Sequence, residues 1–267
     1  MTDARGPGSP SAAEPGRYAP GTPCWVSLTV HAVDATRAFY GALFGWEFRP
    51  GPQPLGPYAR ALVDGREVAG IGRLPEGRRL PVAWTPYLAS DDVDATADAV
   101  RSYGGTIGVG PLDAADAGRL AIGSDPSGAV FGIWQAAAHL GAAVTGVPGT
   151  PAWNELLTYE PARTAKFYAA VFGHEAEAGA RGGGDEVTLH VDGRAVAGVS
   201  SGGPALGPGR GPHWITSFQV ADLDDALERV VALGGRVLVP AGDRARGRVA
   251  TVADPEGARF SLLCGAG

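Results

Sequence analysis

Residues 25–30, WVSLTV, put Val26, Leu28 and Val30 on one side of an extended chain and Trp25, Ser27 and Thr29 on the other. This is the period-two pattern of a strand with two different environments. The alternation then stops, and ATRAFYGALFG carries Ala38, Phe39 and Leu43 at helical spacing, closed by Gly45 as a C-cap. Two apolar runs, residues 58–63 and 67–72, flank an Asp64-Gly65 pair and predict a hairpin. Strand, helix and about three strands thus make one unit. A second unit begins at Trp84 with the strand WTPYLAS. Asp92 caps a helix with apolar Val93, Ala97 and Val100, and Gly104-Gly105 ends it. TIGVG, RLAIG and AVFGIW supply strands, the last preceded by a DPSG turn.

The pattern then returns. FYGALFGW from Phe39 recurs as FYAAVFGH from Phe167, DGREVAGIG from Asp64 as DGRAVAGVS from Asp192, and GRLAIGSDPSGAVFGIW from Gly118 as GRVATVADPEGARFSLL from Gly247, all at a nearly constant offset. A repeat of this regularity fixes an α+β architecture of four βαβββ units in two tandem halves. The boundaries predicted are a disordered tail over 1–21, a first domain over 22–136, a linker over 137–150 and a second domain over 151–266.

Composition narrows the class. The chain has 267 residues, 45% hydrophobic and 19% charged, enough for two domains of ordinary size. A net charge of −6, with no arginine cluster flanked by stacking aromatics, argues against nucleic acid as a partner. No apolar run approaches the roughly 18 residues of a membrane helix. Only Cys24 and Cys264 are present, in the first and last predicted strands, where they could be neighbours. Reduced thiols and a cytoplasmic location are the expectation.

Four βαβββ units with FYxxxFGW after the first strand and GR…DPxGAxF before the last resemble the vicinal oxygen chelate superfamily. That is the fold of glyoxalase I, extradiol dioxygenases and fosfomycin- and bleomycin-resistance proteins. Most similar are the two-domain actinobacterial glyoxalase/bleomycin-resistance proteins. The resemblance implies two glyoxalase/bleomycin-resistance-type domains whose mixed sheets curl into cups that hold a ligand. It also implies where metal ligands would stand. Alignment on the repeated motifs puts the first-strand positions at Trp25, Thr85, Trp153 and Ile215, and the last-strand positions at Gly70, Gly132, Gly198 and Ser261. None is an imidazole or a carboxylate, so no metal and no other cofactor is expected. A slip of two residues would bring Glu155 into a cup.

With one strand face towards the helix and one towards the cup, alternation assigns the lining. It comprises Trp25, Ser27 and Thr29, Thr85 and Tyr87, Val130 and Trp134, Trp153 and Glu155, Ile215 and Ser217, and Arg259 and Ser261. Trp214 falls on the helix side. An aromatic lining with a few polar groups suits a hydrophobic or aromatic small molecule. Glu155, with Arg259 at the matching end, and His190 are the candidate acid/base residues. His31, His139, His174 and His213 fall at element ends or in the linker and read as solvated. The chain lacks the motifs of nucleophile, phosphate and dinucleotide chemistry.

Two functions stay open. One is a metal-free protein that holds or acts on an aromatic natural product in antibiotic biosynthesis or self-resistance, with an oxygenase as an admissible partner. The other is an enzyme: a glyoxalase-like lyase, a dioxygenase, or a cofactor-independent isomerase or cyclase using Glu155. Monomer and homodimer are both compatible with the sequence, as is either pairing of the units. The two halves should carry unequal pockets, with chemistry sought first in the second.

Overall fold

The computed structural model describes residues 16–52, 56–74, 82–179, 186–202, 206 and 211–265. The first half runs β1 (Pro23–Val30), α1 (Val33–Phe44), β2 (Glu47–Pro50), β3 (Tyr58–Val63), β4 (Arg66–Arg73), β5 (Trp84–Ala89), α2 (Val93–Ser102), β6 (Thr106–Asp113), β7 (Gly118–Ser124) and β8 (Val130–Ala136). The second half repeats it as β9 (Pro151–Thr158), α3 (Pro161–Phe172), β10 (Glu175–Ala178), β11 (Glu186–Val191), β12 (Arg194–Ser201), β13 (His213–Gln219), α4 (Leu223–Ala232), β14 (Arg236–Arg244), β15 (Gly247–Ala253) and β16 (Arg259–Cys264). The four βαβββ units are therefore present, and β2 and β10 are the short edge strands the apolar pattern does not mark. Their side chains are mostly exposed, so no alternation advertises them.

Local chemistry sets the boundaries. Asp92 and Asp222 each accept two backbone N–H bonds at the start of α2 and α4. The Asp64-Gly65 and Asp192-Gly193 turns have positive φ at both residues, the twist that closes a two-residue hairpin.

Units pair within each half. The first sheet has the order β2-β3-β4-β1-β5-β8-β7-β6 and the second β10-β11-β12-β9-β13-β16-β15-β14. In each, the first strands of the two units lie antiparallel at the centre and parallel to the last strand of their own unit.

The hydrophobic cores ignore the boundary between halves. One joins Phe39, Tyr40, Trp46 and Trp84 to Phe218 and Phe260; the other joins Phe131 and Ile133 to Phe167, Tyr168 and Trp214. The repeated motifs carry this union. Tyr40 donates to Asp254 Oδ2 at 3.1 Å and receives Trp84 Nε1 at 3.0 Å. Tyr168 donates to Asp125 Oδ2 and receives Trp214 Nε1, each at 3.2 Å. Thus the FY of each half is bound by the DPxG aspartate of the other. Both sheets bury their helix faces in these joint cores, leaving the opposite faces for the cups.

The 137–150 segment is part of the structure as well as a connection. Val144 enters the first core, Ala143 N–H donates to Glu67 O, and Trp46 Nε1 donates to Gly149 O at 2.6 Å. Of the tail expected to be disordered, residues 1–15 lie outside the described residues. Tyr18 bonds Ala142 O, and Gly21 bonds Ala89 O and His174 Nε2. Cys24 and Cys264 are both free and lie in different sheets. Among the described residues no helix is long and apolar enough to cross a membrane.

Candidate functional site

A cavity of about 250 Å³ opens on the cup face of the first sheet. Trp25, Ser27 and Thr29 of β1, Tyr87 of β5 and Trp134 of β8 border it as their alternation predicts. Tyr58 and Arg60 of β3, Arg73, Leu74, Leu120, Ile122 and His139 complete much of the wall. Thr85 pairs with Ser27 across the sheet and stands beyond the cavity lining; Val130, at the far end of β8, is exposed.

Its floor is hydrogen-bonded. Trp25 Nε1 donates to Tyr58 Oη at 2.8 Å, and Ser27 Oγ lies 2.7 Å from the same oxygen. Burial, outweighing these bonds, pushes the Tyr58 hydroxyl above its ordinary range, and burial does the same to Tyr87. Both phenols therefore stay neutral and polar without carrying charge. Tyr58 lies so flat across Gly70 that a Cβ there would fall 1.7 Å from its hydroxyl oxygen. Tyr87 covers Gly132 in the same way, with its ring 2.1 Å from where a Cβ would stand.

One wall is ionic, and the sequence reading missed it. His139 Nδ1 lies 3.0 Å from Glu67 Oε2, and Arg60 Nη1 lies 2.7 Å from Glu67 Oε1. Burial alone would raise the Glu67 carboxyl, but the bonds from His139 and Arg60 and their charges outweigh it and hold it down at about 2. The His139 side chain is only 9% exposed and meets the Trp25 ring edge-on at 4.5 Å. Its solvated reading is thus corrected, because the 137–150 segment folds back over the cup and Trp134 Nε1 grips His139 O at 2.9 Å. His174 is corrected too: it is buried, with Nε2 2.8 Å from Gly21 O. Tyr58 and Arg60 were visible in the alternation of YARALV, whereas His139 had no signal, since Glu67 finds it only through the tertiary fold.

The second cup holds a different arrangement. Glu155 pairs with Gly198 on one side and Ile215 on the other, and its Oε2 would stand 1.9 Å from a Cβ at residue 198. Trp153 Nε1 donates to that oxygen at 2.9 Å, and Ser200 also hydrogen-bonds the carboxylate. Burial raises the Glu155 carboxyl despite these bonds. The cation acting on it is Arg246, in place of the expected Arg259. Arg246 rises from the β14–β15 turn, and its guanidinium carbon sits 3.3 Å from the Trp153 ring centroid. Arg259 is half-buried at the start of β16, opposite Ala253. Ser217 pairs with Trp153 and with Ser261, whose hydroxyl lies 3.1 Å from Thr251 Oγ1. His190 stands apart on β11, its Nε2 3.5 Å from Glu177.

These residues do not suit a divalent ion. At three of the four last-strand positions there is no side chain, and Tyr58, Tyr87 and Glu155 occupy the space above. Among the described residues no three His, Cys, Asp or Glu converge, whereas such an ion takes several N, O or S donors at once.

Comparison with known proteins gives the relationship. A family model described as "Glyoxalase-like domain" matches residues 151–263. The chain is 39% identical to CFP32 of Mycobacterium tuberculosis, named as a candidate glyoxylase, over 92% of this chain and 95% of that one. It is 38% identical to the anthracycline biosynthesis protein DnrV of Streptomyces peucetius, over 92% and 94%. In fold it is similar to the Mn(II)-bound glyoxalase of Novosphingobium aromaticivorans, with a TM-score of 0.61 and 18% identity over 91% of this chain and 82% of that one. The 2,2',3-trihydroxybiphenyl 1,2-dioxygenase of Sphingomonas wittichii gives a TM-score of 0.61 and 20% identity over 92% and 91%. With the repeat, the paired cups and relatives aligned along nearly their whole length, this chain belongs to the glyoxalase-like family of the vicinal oxygen chelate superfamily, as a member with two tandem domains.

Proposed function

We propose that the protein is a metal-independent binder of a flat aromatic small molecule, held in the first cup. One observation carries this reading: an indole from each of β1 and β8 and the phenols of Tyr58 and Tyr87 border a single cavity of about 250 Å³. That volume lies just under the roughly 300–1,000 Å³ usual for small-molecule pockets, a size for a few fused rings and not for a long chain. Ring contact and burial supply affinity, while Ser27, Thr29, Arg60 and His139 offer the few polar groups that fix orientation. The likeness to an anthracycline biosynthesis protein supports a polycyclic natural product as the ligand class.

Trp25 and Trp134 are built-in reporters. Titration with hydroxylated anthraquinones should quench or shift tryptophan fluorescence saturably. Val109 borders the cavity, and Val109→Phe narrows it; affinity should fall roughly tenfold, about 1.4 kcal/mol. A panel of such compounds that leaves the fluorescence unchanged would overturn the proposal.

The desolvated Glu155 favours a second reading, in which the second cup performs proton transfer. A Glu155→Gln protein that turns over its substrate at the wild-type rate would exclude it.

A further inference from the structure

We propose that His139 is a proton acceptor facing the first cup, and that the cup takes its aromatic ligand through an acidic hydroxyl that it ionises on binding. This deepens the binding function above and rests on it. Three observations carry it. His139 borders the cavity, and its Nδ1 is turned to Glu67 Oε2 at 3.0 Å. A neutral imidazole in that contact carries its proton on Nδ1, so Nε2 presents a lone pair. Nε2 has no protein partner among the described residues, and the ring's other neighbours are the indoles of Trp25 and Trp134, at 4.5 and 5.6 Å. The acceptor therefore stands beside an aromatic surface, where a hydroxyl on a flat ligand would meet it.

The charged and titratable groups that pair with the imidazole or border its cavity, Glu67, Arg60, Arg73, Tyr58 and Tyr87, fit this role. Glu67 on β4 lies behind it and is itself held ionised by Arg60 at 2.7 Å. Arg60 and Arg73 border the same cavity, and the neighbouring phenols, Tyr58 and Tyr87, are pushed upward by burial and do not compete as acids. The step balances within the complex. The O–H bond of the ligand breaks, its proton forms an N–H bond at Nε2, and the electron pair stays on the oxygen as a phenolate. The imidazolium is offset by Glu67 and the phenolate by Arg60 and Arg73. Glu67 is a positioning residue: it fixes the tautomer and supports the charge without touching the ligand.

The probe is 2-hydroxyanthraquinone, whose phenol and phenolate absorb at different wavelengths. Its binding is read by tryptophan fluorescence and its ionisation by visible absorption across neutral pH. Bound to the wild-type protein, it should ionise at least about one pH unit lower than in water, as expected beside a forming cation. His139→Asn keeps a donor towards Glu67 but loses the basic nitrogen, so at protein concentrations that saturate the probe despite any weaker binding, the ionisation of the bound probe should return towards the free value. Glu67→Gln should give an intermediate shift. The methyl ether of the probe should bind the wild-type protein without any spectral change. Should His139→Asn fail to fold, His139→Gln makes the same test. A probe that binds but ionises as in water, or an undiminished shift in both His139 variants, overturns the proposal. If neither probe nor ether binds, the aromatic-binding function itself fails, and this inference with it.

Discussion

Two part-buried glutamates, one in each half, have carboxyls shifted in opposite directions. Glu67 is held down by its hydrogen bonds to His139 and Arg60, so its contribution to stability is present above the unfolded value near 4.5 and is lost as pH falls through that value towards about 2. At neutral pH the contribution is on the order of 2–3 kcal/mol at most. Glu67→Gln should therefore unfold at lower urea concentration at pH 7, with a gap that closes on acidification. Glu155 is raised by burial, so its protonated form is the one the fold favours; its contribution is full below 4.5 and falls as pH rises through the raised value. Glu155→Gln should be at least as stable as the wild-type protein at pH 8, an advantage that shrinks towards pH 5 in the same urea measurement. Sequence could place Glu155 in a cup from strand alternation alone. It could not assign the partner arginine, since Arg246 arrives from a turn at the far end of β14 and alternation says nothing about turns.

At the level of strands, glycines on the last strand of three units act as seats for large side chains. Gly70, Gly132 and Gly198 leave room for Tyr58, Tyr87 and Glu155 to lie across the sheet. Gly70→Ala would drive a methyl into the Tyr58 hydroxyl, breaking its bonds to Trp25 and Ser27. A stability loss of about 1–3 kcal/mol and weaker aromatic binding should follow, measured by urea midpoint and fluorescence titration. Gly72→Ala is the control. Its new methyl would sit no closer than 3.3 Å to Tyr58, and its effect should be much smaller. The strands themselves were legible because period-two alternation survives wherever one face is core. What was not legible is why the last-strand positions are glycine, since a missing side chain is uninformative until the group lying over it is known.

Across the whole molecule, the repeat that marks two tandem halves in sequence marks one interlocked body in space. A fragment spanning 22–136 would expose Phe39, Tyr40 and Trp84 where Phe218 and Phe260 should cover them. It should therefore show no cooperative thermal transition on its own, whereas the full chain should unfold in one. Tyr40→Phe leaves Asp254 short of a buried donor and should cost about 1–3 kcal/mol. Tyr168→Phe should cost a similar amount through Asp125. The motifs were easy to find and their function was not, because each half carries one partner of a contact completed by the other.

These crossed tyrosine–aspartate contacts are two copies of one lock, a symmetry that a pair of identical single-half chains would also satisfy. In such a pair every substitution arises twice, so both bowls must change together. Joining the halves into one chain removes that coupling: the locks can stay matched while each bowl drifts alone. One bowl now carries the Tyr58, Arg60 and His139 wall and the other the Trp153, Glu155 and Arg246 stack. A single polypeptide can thereby line its two bowls with different chemistry.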